Sequence, residues 1–321
     1  MSEAPAHSVA ETSSTTGIDL APWYGLSMPY REPVPAPLQQ EEVPPQTADE
    51  LRVAAESAYC AADFEAAKRL ILEAADGYRR RHDEWGVADA LAVRGAIARF
   101  AGDTSVAIDY YREALSLFTV VGDLSSTARL YRALAEVRFT TGDYEQSAAV
   151  LYEGLALLPD DPVLLEGLGY AQWYAGQEAN ALTYLTRALA VAPDNQSALL
   201  ARGQIHADLG HPHAALTDLD RLSVSEDDPP DRRADLKSAR GVCLIAIGRS
   251  DDGEAELNDA LILAPHRART HRRIADVRLR AGDVERARAA LRAAVTAADR
   301  LPSAHTGRIR RLLDRLSETR V

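Results

Sequence analysis

The positions that stay small or apolar along this chain fall into a repeating register. Ala62, Gly102, Gly142, Gly176, Gly210, Gly248 and Gly282 occupy one corresponding place. Five residues on stand Ala67, Ala107, Ser147, Ala181, Ala215, Gly253 and Ala287. Four further come Ile71, Tyr111, Leu151, Leu185, Leu219, Leu257 and Leu291, and three further Ala74, Ala114, Gly154, Ala188, Leu222, Ala260 and Ala294. Small residues seven apart, with a larger apolar residue between them, share one face of a helix. The Gly then marks the end of a preceding helix, where a left-handed residue reverses the chain. Asp63, Asp103, Asp143 and Asp283 follow it and are placed to cap the next helix. Pro159, Pro193 and Pro265 stop second helices. The pattern predicts seven helical hairpins, with repeats starting near 48, 88, 128, 162, 196, 234 and 268, and a capping helix over 303–319.

This register resembles the tetratricopeptide repeat family. The fullest match is residues 162–195, "PVLLEGLGYAQWYAGQEANALTYLTRALAVAPDN", with Leu165 at the family's Trp position, then Leu168-Gly169, Ala181, Leu185, Ala188 and Pro193. The family's first-helix Tyr is replaced throughout, by Ala58, Ala98, Arg138, Gln172, His206, Leu244 and Arg278. The first two repeats run 40 residues, so their second helices must be longer or be followed by loops such as "VVGDLSST". Repeat five lacks its closing Pro and ends in the acidic stretch Ser223–Asp231, which reads as a softer joint. The resemblance implies an all-α superhelical solenoid with a concave groove lined by first helices.

Residues 1–47 break the register. They are rich in Pro and Ser, have no helical period, and read as a disordered tail. Yet "DLAPWYGLSMPYREPVPAP", Asp19–Pro37, concentrates Trp23, Tyr24, Leu26, Met28 and Tyr30. Such a cluster reads as a docking motif, for another protein or for the chain's own groove.

Composition narrows the function. The net charge of -12 argues against a general nucleic-acid binder, which needs a basic face. The charge is uneven: -5 over residues 1–47 and +8 over 268–321. The basic end, Arg269, Arg272, Arg280, Arg308, Arg310 and Arg311, is therefore a candidate surface for an acidic partner. Two Lys against 34 Arg, with abundant Ala, suits a high-GC bacterial genome. Cys60 and Cys243 show no zinc or CxxC spacing and read as packed, reduced thiols of a cytoplasmic protein. The start MSEAPAHS lacks the basic and apolar regions of a signal peptide, and no apolar run is long enough for a membrane span.

No catalytic, cofactor or metal signature stands out. The GxG of "GLGYAQ" falls inside a predicted helix rather than after a strand. His206, His211 and His213 do not make a convergent ligand set by spacing, and the acids of "EDDPPD" lack calcium-loop spacing. What the resemblance leaves is the groove. Family positions that face it, carried across to repeats two to four, are Arg99, Phe100, Arg132, Glu136, Phe139, Glu166, Tyr170, Trp173 and Tyr174. Exposed rings among charges suit an extended peptide. The expected function is a non-enzymatic scaffold or adaptor holding a peptide or partner protein. Alternatives are a regulatory sensor acting through a signalling or transcription partner, and an enzyme with an unrecognised site.

Overall fold

The computed structural model describes residues 47–298 and 304–318. Fifteen helices follow one another there, with no strand among the described residues. They pair as α1 (Ala48–Cys60) with α2 (Phe64–Arg80), α3 (Glu84–Phe100) with α4 (Thr104–Val121), and α5 (Leu124–Thr140) with α6 (Tyr144–Leu157). Next come α7 (Pro162–Tyr174) with α8 (Glu178–Val191), and α9 (Gln196–Asp208) with α10 (Pro212–Leu219). The last pairs are α11 (Pro230–Ala246) with α12 (Ser250–Leu263), and α13 (Ala268–Arg280) with α14 (Val284–Ala298). A single helix, α15 (Ala304–Glu318), packs on α14.

Local chemistry explains the reversals. Gly102, Gly142, Gly176, Gly210, Gly248 and Gly282 all take the left-handed φ, between 76° and 89°. Ala62 holds the same place in the first hairpin at φ 59°, where its Cβ makes the conformation costly. Asp63 and Asp143 accept a hydrogen bond from the backbone N–H three residues on, as Asp283 does from Arg286. Asp103 does not, although it stands at the same place. Helices α6, α8 and α12 each end two residues before Pro159, Pro193 and Pro265.

Two departures from the sequence register are informative. First helices α3, α5 and α11 begin at Glu84, Leu124 and Pro230, one turn before the expected starts at 88, 128 and 234. The "VVGDLSST" stretch is not a loop: α4 runs through Val121, Gly122 turns left-handed at φ 79°, and α5 starts at Leu124. The long repeats therefore absorb their extra residues as helix.

Inside each hairpin the small positions bring backbones together. Ala67, Ala107, Ser147, Ala181, Ala215 and Ala287 are fully buried, and so are the larger residues four positions on, from Ile71 to Leu291. Gly95 and Gly241 show the tolerance involved. A Cβ on Gly95 would stand 2.5 Å from the Tyr111 ring, and one on Gly241 would stand 2.8 Å from the Gly253 carbonyl oxygen. The core is thus a chain of clusters, each shared between neighbouring hairpins.

Candidate partner-binding groove

First helices line the concave side, and the two halves of the array treat it differently. In the N-terminal half, α1, α3 and α5 enclose an open cavity of about 510 Å³. Arg52, Glu56 and Tyr59 come from α1, Asp89 and Arg99 from α3, and Arg129 and Glu136 from α5. Trp85, Tyr111 and Phe118 add apolar surface, while Ala92, Ala96 and Ala133 leave the room. The Trp85 indole N–H donates to Asp123 Oδ2 at 2.8 Å, and its ring meets Phe118 edge-on.

The cavity's charges are only partly matched. Arg99 pairs with Glu136 on the next first helix, and Arg52 pairs with Glu56 and stands 3.4 Å from Asp89 Oδ2. Burial pushes the carboxyls of Glu136, Asp89 and Glu56 above their ordinary range, despite the neighbouring arginines. Burial likewise pushes the Tyr111 phenol up to about 12. Among the described residues, Glu136 Oε2, Asp89 Oδ2 and Arg99 Nε are buried without a hydrogen-bond partner. Arg129 is exposed at the rim. A buried polar atom left unpaired carries a desolvation cost that an incoming group removes.

The C-terminal half is closed by its own side chains. Arg269 of α13 lies over the Trp173 ring of α7, 3.9 Å from its centroid, and donates to Gln204 Oε1 at 3.3 Å. Arg273, almost wholly buried, donates to Asp208 at 2.8 Å, Ser238 Oγ at 2.7 Å and Gln204 at 3.2 Å. Arg272 pairs with Asp208 at 2.6 Å and with Asp276 at 2.8 Å. Burial pushes the Asp208 carboxyl up, but Arg272, Arg273 and Arg269 more than offset this and hold it well below the usual range. A second cavity, of about 710 Å³, remains between this clasp and α15, walled by Trp173, Leu209, Arg272, Ile309 and Leu312 among others.

This geometry corrects most of the expected groove residues. Phe139, Tyr170 and Tyr174 are buried: Phe139 and Tyr174 pack on Tyr144, and the Tyr170 hydroxyl donates to the Ser197 carbonyl at 3.0 Å. Trp173 is 1% exposed beneath Arg269. Arg132 and Glu166 are buried against each other, with Arg132 also donating to the Val163 carbonyl and Asn195 to Glu166. Phe100 is exposed but stacks with Phe64 and Tyr59 at the hairpin turn rather than in the cavity. Only Arg99 and Glu136 of that set line the open groove. At the basic end, Arg269 and Arg272 turn inward, whereas Arg280, Arg310 and Arg311 are exposed. The side chain of Arg308, and Trp23, Tyr24, Leu26, Met28 and Tyr30, lie outside the described residues.

The open site was within reach of the sequence. The positional rule that selected Arg99 and Glu136 also selects Arg52, Glu56 and Tyr59 in repeat one, Asp89 in repeat two and Arg129 in repeat three. Trp85 escapes it because α3 starts a turn earlier than the register.

Comparison with known proteins agrees with this architecture. The sequence profile of the tetratricopeptide repeat matches residues 93–162, 167–234 and 238–302. The chain belongs to the tetratricopeptide repeat family. A curated relative, protein FlbA of Caulobacter vibrioides, is 32% identical over 124 residues, 37% of this chain. The match spans only 21% of that relative's length. Among solved structures, a tetratricopeptide repeat protein from Parabacteroides merdae superposes with a TM-score of 0.54 at 17% identity, covering 84% of this chain and 98% of that one. The hetero-tetramer Cut9–Hcn1 of the APC/C gives 0.55 at 15% identity, covering 84% and 52%. These two likenesses show the fold. Among the described residues no helix is long and apolar enough to cross a membrane.

Proposed function

We propose that this chain is a non-enzymatic scaffold or adaptor that seats an extended segment of a partner protein in the groove of repeats one to three. The observation that carries the reading is the open cavity floored by unpaired buried polar atoms of both signs. An extended main chain offers N–H and C=O groups in alternation, which suits carboxylate oxygens of Glu136 and Asp89 beside the guanidinium of Arg99. Trp85, Tyr111 and Phe118 supply the apolar wall for a side-chain anchor. Family membership supports protein recognition as the general role, and the free thiols Cys60 and Cys243 suit the cytoplasmic location this reading includes.

The test is capture from native lysate with full-length chain. Arg129→Ala with Asp89→Asn should reduce the captured partner at least tenfold. Arg310→Ala with Arg311→Ala, at the far end, should leave it unchanged. Equal loss from both pairs would move the site out of this groove.

A further inference from the structure

The open groove lies next to a long stretch of chain that has no place in the repeat array. Thr47 caps α1 through a reciprocal pair of hydrogen bonds with Glu50, and Tyr78 and Arg81 of the neighbouring second helix hold Asp49. The point where the N-terminal 46 residues join the array is thus fixed. Arg52, the first cavity residue, lies five positions on, about 7 Å along α1 at ~1.5 Å per residue. Residues 32–46 can extend to about 50 Å at ~3.3 Å each, so the segment before them reaches the cavity with slack.

That segment carries side chains that suit the rings and carboxylates of the cavity. Trp23, Tyr24 and Tyr30 lie in sequence outside the repeats. Arg31 is the one basic Lys or Arg residue among residues 1–47. The cavity offers the apolar surfaces of Trp85, Tyr111 and Phe118, together with Asp89 and Glu136, each with a buried oxygen that accepts no hydrogen bond although both carboxylates have an arginine beside them. Its volume, about 510 Å³, is in the range that encloses a few side chains. Pro29, Pro33, Pro35 and Pro37 favour an extended backbone and reduce the entropy lost on lying along a groove.

We propose that Trp23–Arg31 occupies the groove of repeats one to three in the unliganded chain, so that a partner binds by displacing it. The proposal rests on the reading that this groove seats an extended segment, and names the resident one. Arg31 sits against Asp89, and the rings lie on the Trp85–Phe118 wall at the same end of α3. Tethering holds the segment at an effective concentration of order mM, so a free affinity of about 100 μM would weaken a competitor about tenfold.

The test uses a fluorescent synthetic peptide of residues 19–37, titrated by anisotropy into two full-length chains. One is wild type. The other carries Trp23→Ala, Tyr24→Ala and Arg31→Ala, all outside the repeat register. The peptide should bind the substituted chain about tenfold more tightly, and Asp89→Asn with Arg129→Ala added to that chain should remove the binding. Equal affinity for both chains, or no binding to either, overturns the proposal. So does protection that rises with protein concentration alongside a dimer in sedimentation, which would assign the seat to the tail of a second copy. Partner capture separates the two readings. If the peptide binds neither chain but groove substitutions still lose the partner, the tail is excluded and the groove stands. If the peptide behaves as expected and capture ignores the groove, the partner's site lies elsewhere.

Discussion

The same repeat builds a groove framed by short side chains at one end of this molecule and, at the other, one clasped by arginines that leaves its cavity against α15. In repeats one to three the inward places hold Ala92, Ala96 and Ala133, and successive first helices frame a cavity. In repeat seven they hold Arg269 and Arg272, with Arg273 beside them. These reach past the adjacent repeat to Trp173, Gln204 and Asp208. The hairpin scaffold is common to both halves. What differs is side-chain length at a few positions, and that sets whether the concave face is left open or spent on contacts within the array. The C-terminal half also carries the short helix α10, eight residues against fourteen in α8 and α12. The expected soft joint at Ser223–Asp231 follows this short helix, and Arg273 ties repeat five to repeat six across it on the inner side.

The largest effect should come from breaking that tie. Arg273→Ala removes the buried donor that the Asp208 carboxylate, Gln204 Oε1 and Ser238 Oγ share, leaving Asp208 with Arg272 and Gln204 with Arg269. Removing one partner of a buried pair costs about 3–5 kcal/mol. In a nearest-neighbour array the loss stays local. Hydrogen exchange should quicken over α9–α13 while α3–α5 keep their protection. A uniform increase would mean that the two halves are one cooperative unit.

Next comes Gly241→Ala. Its Cβ would meet the Gly253 carbonyl at 2.8 Å and Leu257 at 2.9 Å, and backbone cannot rotate away as a side chain end can. Overpacking of this kind costs about 1–3 kcal/mol. Denaturant titration should show a lower first midpoint with the same final baseline. If the midpoint is unchanged, α11 and α12 separate more easily than their close contact suggests.

The fold was legible in the sequence because each hairpin is specified locally. Gly102 or Gly176 at the turn, Ala107 or Ala181 on the next helix, and Pro193 at the end all act within about 34 residues of one another. The groove was only half legible. The register says which way Tyr170 or Trp173 faces relative to its own hairpin. It does not say that Ser197 in the next repeat accepts the Tyr170 hydroxyl, nor that Arg269, three repeats on, lies on Trp173. Those contacts depend on how tightly the superhelix winds, a property of many stacked interfaces. Arg132 and Glu166 misled for a related reason: two charges one repeat apart at the same place pair with each other before they face any partner.

A smaller effect, about 0.5–2 kcal/mol, is expected from Arg269→Ala, which removes a cation held over a ring. The sharper readout is exposure. In a background with Trp23→Phe and Trp85→Phe, emission then reports Trp173 alone, and Arg269→Ala should shift it to longer wavelength and make it quenchable by acrylamide. The filled half would then begin to resemble the open one. An unchanged spectrum would show that Trp173 is buried by its hairpin neighbours, with Arg269 merely resting on top.

The smallest effect sets a carboxyl of each half against the other by pH. Glu136 has a carboxyl raised by burial, and Asp208 has one depressed by Arg272, Arg273 and Arg269 against its own burial. For a raised carboxyl, folding favours the protonated form. Its contribution is fully present below the ordinary Glu value near 4.5 and is lost as pH rises through the higher folded value. For Asp208 the sign reverses. Its contribution is present above the ordinary Asp value of 3.8 and is lost as pH falls through the lower folded value. Comparing wild type with Glu136→Gln should therefore show the wild type gaining as pH falls from 7 towards 4.5. The corresponding comparison for Asp208→Asn should stay flat over that range and decline only below 3.8. Asp276, also raised by burial, cancels in the Glu136 comparison. The Asp208 carboxylate is among the charges that raise it, so the Asp208 pair is compared in an Asp276→Asn background. Urea titrations across pH 3–7 give both curves. Parallel slopes would mean that the Glu136 carboxylate of the open groove is as well compensated as the clasped one, and would remove the unsatisfied acceptor on which the proposed recognition rests.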